Sequence, residues 1–118
     1  MLLAAALLPY LTVALAKGGR SGYDNARPRD WSDRLQGWRR RADWAHRNHF
    51  EAFAPFAAGV LLAGQRGAPS PGAVDALAAG FVACRVGYTA AYVLDRPALR
   101  SVFWFLAIGC VVALFLWG

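Results

Sequence analysis

Cysteine is scarce in this sequence of 118 residues, which contains only Cys84 and Cys110. Neither has metal-ligand spacing around it, so the sequence gives no basis for a disulfide framework or a cysteine metal site, and both fit small packing positions. Acidic residues are also few, seven against 13 basic ones, and the formal net charge is +6. In a soluble protein this charge would suggest nucleic acid as a partner, but the positions of the charges argue against that.

Charged residues are absent from four apolar stretches, residues 1–16, 52–63, 76–84 and 101–118. With 58% hydrophobic residues and a mean hydropathy of +0.32, the chain is too apolar for an ordinary soluble fold of its length. Four apolar stretches allow at most four membrane crossings. We therefore predict a single domain over residues 1–118, an all-α integral membrane bundle of four transmembrane helices.

The basic residues cluster on one side of this predicted bundle. Nine of the 13 lie between residues 17 and 47, and Arg96 and Arg100 lie at the third connection. If the chain crosses four times, the first and third connections share one side of the membrane. The positive-inside bias makes that side cytoplasmic, so both termini are expected on the opposite side.

Residues 1–16 form the first predicted crossing, about 24 Å long as a helix. A cleaved signal peptide is the alternative, because residues 14–16 resemble a small-residue cleavage site. No basic segment precedes the apolar run, however, and cleavage would leave only three spans. We therefore expect a retained helix.

A glycine- and charge-rich loop is expected over residues 17–41, with an interfacial helical turn in its second half. The arginines at positions 39–41 are expected to determine topology and to contact lipid headgroups. Aromatic rings of tryptophan suit the headgroup level of a membrane, and the sequence offers Trp31, Trp38 and Trp44 there.

The second crossing carries the densest group of polar residues. Residues 52–63 cover only about 18 Å, so a crossing of ~20 residues must begin near Trp44. An ionisable side chain at membrane depth predicts a functional site, and this crossing contains His46, Arg47, Asn48, His49 and Glu51. The two histidines lack an HExxH motif or a bridging carboxylate, so we expect no metal, and His46 is expected to pack between helices.

The third crossing, over residues 73–94, carries Arg85 about 15 Å from the basic side. A guanidinium at that depth needs an acceptor, and Glu51 is the only carboxylate at comparable depth on a neighbouring helix. We therefore expect an ion pair between Glu51 and Arg85. The face of Arg85 continues through Tyr88, Thr89 and Tyr92.

Small residues on another face of the third crossing suit close helix packing, namely Gly80, Cys84, Gly87 and Ala91. Asp95 is a candidate N-cap for the fourth helix, because Pro97 follows it at a position compatible with a helix start. The fourth crossing is expected to begin near Leu99, with Arg100 and Ser101 in its first turns.

Antiparallel packing would bring the cytoplasmic ends of the helices together, and with them Arg47, Asn48, Glu51, Tyr88, Tyr92, Arg100 and Ser101. Such a site is cationic with one acid. It suits a small anion that also carries an ammonium group, with arginine pairing carboxylates and Glu51 receiving the ammonium. If the anion carries a thiol, Arg100, Ser101 and the start of the fourth helix would favour its thiolate.

Two motifs resemble a known family. The run RADWAHRNHFEAFAPF, residues 41–56, resembles the hallmark motif of the MAPEG family, the membrane-associated proteins in eicosanoid and glutathione metabolism, whose pattern is close to R-A-x-x-A-H-x-N-x-x-E. The run RVGYTAAYVLDRPALRS, residues 85–101, is similar to the junction of that family's third and fourth helices. The segment GYDNARPRD, residues 22–30, resembles bacterial members, which implies a bacterial inner membrane.

This resemblance implies a homotrimer of four-helix subunits that binds glutathione between neighbouring subunits. By motif match, the glutathione contacts are Arg47, Asn48, Glu51 and Tyr92, with Lys17 similar to an arginine offered by the family's first helix. Tyr88 is counted with them, although the prostaglandin E synthases have histidine there, which argues against a prostaglandin substrate. Arg100 and Ser101 are similar to the catalytic pair beside the sulfur, where the arginine is the proposed thiolate stabiliser.

The predicted function is that of a glutathione-dependent membrane transferase or peroxidase acting on lipophilic electrophiles or hydroperoxides. Membrane lipid and a lipophilic small molecule are the expected partners, with no nucleic acid. The alternative is a non-catalytic lipid-binding or scaffold protein of the same fold. A small four-helix drug transporter would also match the length, but it requires a lone membrane carboxylate, whereas Glu51 has arginines around it.

Overall fold

The computed structural model describes residues 1–18, 25–67 and 71–117. These ranges contain helices and no strand, as the predicted all-α class requires. The elements are α1 (Leu2–Lys17), α2 (Pro28–Asp33), α3 (Gly37–Gln65), α4 (Pro71–Val93) and α5 (Pro97–Trp117). Parts of the predicted first loop, including Gly19 and the start of the GYDNARPRD segment, and part of the outer turn lie outside the described residues.

The four long helices pack together, with α3 in contact with α1, α4 and α5. Among the described residues, two helices are long and apolar enough to cross a membrane by length and composition: α4 over Gly72–Val93 and α5 over Pro97–Leu116. Helix α1 is apolar but shorter. The bundle thus has membrane-spanning character, and four crossings remain a prediction.

Helix α3 is longer than the predicted second crossing, because it begins at Gly37 rather than near Trp44. Its 29 residues span about 44 Å, well beyond a hydrocarbon layer of ~30 Å. The expected loop over residues 17–41 is therefore wrong at its end, where Arg39, Arg40 and Arg41 belong to a helix. Charge at a helix end does not stop the helix when arginine is itself a good helix former.

Each of these three arginines donates to backbone carbonyls at or just beyond the end of another helix. Arg39 donates to the oxygens of Ala16 and Gly18, at 2.7 and 2.6 Å, where α1 ends. Carbonyls in the last turn of a helix have no partner within the helix. Beyond any effect on topology, the arginines therefore stabilise helix ends.

Trp31 differs from the expectation that it lies at headgroup level, because its side chain is only 5% exposed. It lies on the short helix α2 and packs in a cluster with Ala16, Leu35 and Ala42. Trp38 and Trp44 are exposed, as the prediction requires. Trp31 of α2 therefore packs the first connection against α1 and α3.

The small-residue stripe of α4 packs closely against α5. A Cβ atom on Gly87 would lie 2.7 Å from the Phe103 ring, and one on Gly80 would lie 3.4 Å from Cys110 Sγ. On another side of α4, Phe81 stacks on Phe56 of α3 with ring centroids 3.9 Å apart. These contacts fix the rotation of α4, and therefore the direction in which its polar face points.

The α4–α5 link shows a different role for Asp95 from the predicted one. Asp95 has a positive φ of 58°, and the Arg96 N–H donates to the Ala91 carbonyl at 2.8 Å. This is the Schellman pattern that ends a helix. Asp95 therefore terminates α4, and Arg96 precedes the first residue of α5, Pro97, so the predicted N-cap role of Asp95 is wrong.

Candidate functional site

A cavity of about 390 Å³ lies between α3 and α4, at the end of the bundle that carries the arginine-rich start of α3. It is lined by Trp44, Arg47, Asn48, Glu51, Tyr88 and Tyr92. Five of these six residues were predicted as glutathione contacts from the sequence. The helical spacing of Trp44, Arg47, Asn48 and Glu51 places them on one face of α3, and α4 supplies the opposite wall.

A second cavity of about 320 Å³ adjoins the first, and it extends to α5. The two share Asn48, Tyr88 and Tyr92. The remaining lining residues of the second cavity are Arg100, Ser101, Trp104 and Phe105. The predicted catalytic pair, Arg100 and Ser101, therefore lies next to the predicted ligand-binding group, with the two tyrosines between them.

Three aromatic lining residues were missed as site residues in the sequence: Trp44, Trp104 and Phe105. Helical periodicity gave a signal for all three, because Trp44 shares a face of α3 with the predicted site residues Arg47, Asn48 and Glu51. Trp104 and Phe105 follow Arg100 and Ser101 by four residues each, so helical periodicity puts them on the same face of α5. Their rings give the second cavity an apolar wall beside Arg100 and Ser101.

Two arginines contact the tyrosine rings of the cavity walls: Arg100 lines the second cavity, whereas Arg85 is buried and lines neither. The Arg100 guanidinium lies 4.7 Å from the Tyr92 ring centroid, and the Arg85 guanidinium lies 4.1 Å from that of Tyr88. The two tyrosine rings meet edge to face at 5.6 Å. Cation–π contacts hold an arginine in place without neutralising its charge, so Arg100 remains a cation beside the cavity.

Arg85 does not form the expected ion pair with Glu51. Its side chain is 1% exposed, and its guanidinium donates to Asn48 Oδ1 at 2.8 Å and to His49 Nδ1 at 2.8 and 3.1 Å. Glu51 is exposed and accepts a hydrogen bond from Asn48 Nδ2 at 3.3 Å. Asn48 thus stands between the two charges, because the rotation of α3 turns Glu51 to the cavity.

The two histidines of α3 lie against different helices. His46 Nδ1 is 2.7 Å from the Pro9 carbonyl oxygen of α1, which confirms that His46 packs between helices. His49 is 3% exposed and contacts Arg85 and Thr89 of α4. The described residues contain no group of three or more His, Cys, Asp and Glu side chains that could hold a metal ion.

Lys17 is the one predicted site residue that the fold does not bring to the two adjoining cavities. It lines a separate cavity of about 420 Å³ on the α1 and α2 side of α3, together with His46 and Arg47. Arg47 lines both this cavity and the first one, and its Nε lies 3.2 Å from Asp43 Oδ2. Within the chain, Lys17 and Glu51 therefore lie on different sides of α3.

The two adjoining cavities form an open cationic site with hydrogen-bonding groups at one end and aromatic rings at the other. Arg47 and Glu51 offer both signs of charge to a zwitterionic ligand. Arg100 and Ser101 offer a cation and a hydroxyl donor to a second group of the same ligand. Trp104 and Phe105 suit an apolar reactant.

Comparison with protein families gives a match to the MAPEG family over residues 1–118, the whole chain. Comparisons with curated proteins and with solved structures give no match. Members of the matched family are helical membrane proteins, in agreement with the fold and with the apolar helices α4 and α5. The chain therefore belongs to the MAPEG family.

Proposed function

We propose that this protein is a membrane-bound transferase or peroxidase that activates the glutathione thiol against lipophilic electrophiles or hydroperoxides. Family membership supports a glutathione-related role in general. The observation that carries the specific proposal is the adjoining pair of cavities, which joins Arg47, Asn48 and Glu51 to Arg100 and Ser101 through two shared tyrosines.

The first cavity would hold the peptide part of glutathione. Glutathione carries two carboxylates and one ammonium group, and the cavity offers Arg47 for a carboxylate and Glu51 for the ammonium. Asn48, Tyr88 and Tyr92 add hydrogen-bonding groups along the boundary of the two cavities. The ligand would then point its cysteine towards α5.

The second cavity would hold the sulfur. A thiol becomes a good nucleophile when its thiolate form is stabilised by a nearby cation or a helix N-terminus. Arg100 lies in the first turns of α5, and Ser101 follows it with a hydroxyl group. In a transferase step, the thiolate attacks the electrophilic carbon, the carbon–sulfur bond forms, and the leaving group departs with its electron pair.

The proposed assembly is a homotrimer that places Lys17 of one subunit beside the site of a neighbour. This would explain why Lys17 lines a cavity on the opposite side of α3 from Glu51. We further propose four membrane crossings in a bacterial inner membrane, with the basic connection over residues 17–47 cytoplasmic and both termini on the other side. The lipid would deliver the apolar substrate to Trp104 and Phe105 by lateral diffusion.

The test uses the detergent-purified protein with glutathione and chlorodinitrobenzene. Glutathione binding by calorimetry, a thiolate absorbance on mixing and formation of the conjugate are expected together. Arg100→Met should lose the thiolate signal while glutathione still binds, because Arg47 and Glu51 are unchanged. A folded trimer that binds no glutathione would refute the proposal, and binding without any thiolate signal would support a non-catalytic protein instead.

A further inference from the structure

A buried chain of hydrogen bonds connects α4 to the wall of the first cavity. Arg85 donates to His49 Nδ1 and to Asn48 Oδ1, His49 Nε2 lies 2.7 Å from Thr89 Oγ1, and Thr89 Oγ1 donates to the Arg85 carbonyl at 2.9 Å. Arg85 and His49 are 1% and 3% exposed, so neither touches solvent directly. Asn48 alone among the four lines the cavities.

The chemistry of the groups fixes each proton in this chain. A guanidinium has donors only, so His49 Nδ1 must be the unprotonated nitrogen and must accept. A neutral imidazole then carries its hydrogen on Nε2, which donates to Thr89 Oγ1. The Thr89 hydroxyl group then donates its hydrogen to the Arg85 carbonyl oxygen. Donor and acceptor are thus assigned in every one of these hydrogen bonds.

The same reasoning fixes the Asn48 side chain. An asparagine amide can be turned over without a change of shape, and only its hydrogen-bond partners decide which end is oxygen. Since Arg85 can only donate, the oxygen of Asn48 must face inward, and the NH₂ group faces Glu51 at 3.3 Å. One N–H of this group is then donated to Glu51.

We infer that His49 and Arg85 form a positioning pair that holds the Asn48 amide with its NH₂ group towards the bound ligand. This inference rests on the proposed function, because it assigns a direction to one contact of the proposed glutathione site. His49 keeps the Arg85 guanidinium in place, and Arg85 in turn keeps the Asn48 oxygen turned inward. With the amide fixed, the site presents a donor from Asn48 beside the acceptor Glu51, a pair that matches a carboxylate and an ammonium group on one ligand.

The positive charge of Arg85 favours one orientation of the Asn48 amide over the other. Two neutral side-chain acceptors, rather than a carboxylate, satisfy its guanidinium, so its positive charge is not cancelled within the described residues that it contacts. A cation in this place repels the NH₂ end of Asn48 and attracts the oxygen end. Loss of His49 frees the guanidinium to turn, and the amide then loses its fixed orientation.

The test measures glutathione affinity by calorimetry in the detergent-purified full chain. His49→Leu removes the acceptor for Arg85 and should weaken binding about tenfold or more, the loss expected for a hydrogen bond to a charged group. His49→Asn returns an acceptor near the Nδ1 position and should recover most of that loss. Thr12→Val is the control, since it removes a buried hydrogen-bonding side chain of α1 that lines none of the three cavities described above, and it should leave the affinity unchanged.

A double-mutant cycle separates positioning from general loss of structure. If His49 acts through Asn48, His49→Leu should have no further effect on glutathione affinity in a protein that already carries Asn48→Ala. A further tenfold loss in that background would overturn the inference. If the parent protein binds no glutathione, the proposed function itself is refuted. If the parent binds glutathione and the His49→Leu protein binds it equally well, only the positioning pair is refuted.

A measurement on the parent protein covers the case in which His49→Leu does not fold. The ¹⁵N NMR spectrum of histidine-labelled protein distinguishes a protonated from an unprotonated ring nitrogen. His49 should show a hydrogen on Nε2 and none on Nδ1. A hydrogen on His49 Nδ1 would overturn the inference, because that nitrogen could not then accept from Arg85.

Discussion

Arg41 donates two hydrogen bonds to the Val93 carbonyl oxygen, from Nε at 3.2 Å and from Nη2 at 3.0 Å. This contact joins the start of α3 to the last residue of α4, 52 residues along the chain. A single side chain thus stabilises a helix end of a neighbouring element. The relationship makes Arg41 a structural residue of the site, because α4 carries Tyr88 and Tyr92 near that end.

Replacement of Arg41 by methionine should lower the free energy of unfolding by about 1–3 kcal/mol, because the Val93 carbonyl loses a charged donor. Thermal unfolding in detergent, followed by tryptophan fluorescence, measures the change. Arg96→Met is the matched control, since it removes the same charge from an exposed side chain in the α4–α5 link. Equal melting temperatures of the two variants would show that Arg41 contributes to stability through its charge alone.

Arg85→Met and Glu51→Gln should differ sharply in stability. The first leaves Asn48 and His49 without their buried donor, which costs about 1–3 kcal/mol for each unsatisfied group. The second changes an exposed side chain and keeps an oxygen acceptor for Asn48, so a change within about 0.5 kcal/mol is expected. Chemical or thermal unfolding of both variants is the measurement. Similar losses of unfolding free energy in the two variants would support a direct ion pair between Glu51 and Arg85.

Gly87→Ala should destabilise the packing of α4 against α5. The added Cβ would lie 2.7 Å from Phe103, so the ring must move, at a cost of about 1–3 kcal/mol. Gly64→Ala on α3 is the control, because no atom lies within 4 Å of the new Cβ and alanine favours a helix. Melting temperatures in one detergent give the comparison, and equal values would contradict close α4–α5 contact at Gly87.

Tyr92→Leu should reduce the rate of thiolate formation more than Tyr92→Phe does. Phenylalanine keeps a ring under the Arg100 guanidinium, whereas leucine removes the cation–π contact, worth about 0.5–2 kcal/mol. Stopped-flow absorbance after mixing with glutathione measures that rate. An equal loss in both variants would instead assign the effect to the tyrosine hydroxyl group.

The candidate site was largely predictable because its residues lie on single helix faces. The spacing of Arg47, Asn48 and Glu51 on α3 predicted one wall, and Tyr88 and Tyr92 on α4 predicted the other. Periodicity depends only on the 3.6 residues per turn of an α-helix. The predicted grouping of these residues therefore agrees with the cavities, although their roles as ligand contacts remain proposals.

The contacts between helices were less predictable, because they depend on how far each helix is rotated and shifted against its neighbours. Composition and charge alone indicated the all-α membrane class, and the two motifs indicated the family, which the whole-chain match confirms. Only the tertiary structure shows that Asn48 and His49 accept the hydrogen bonds of Arg85, because the rotation of α3 turns Glu51 outward. It also buried Trp31 and directed Arg39 and Arg41 to helix ends, since a long side chain reaches whichever unsatisfied carbonyl the packing brings within range.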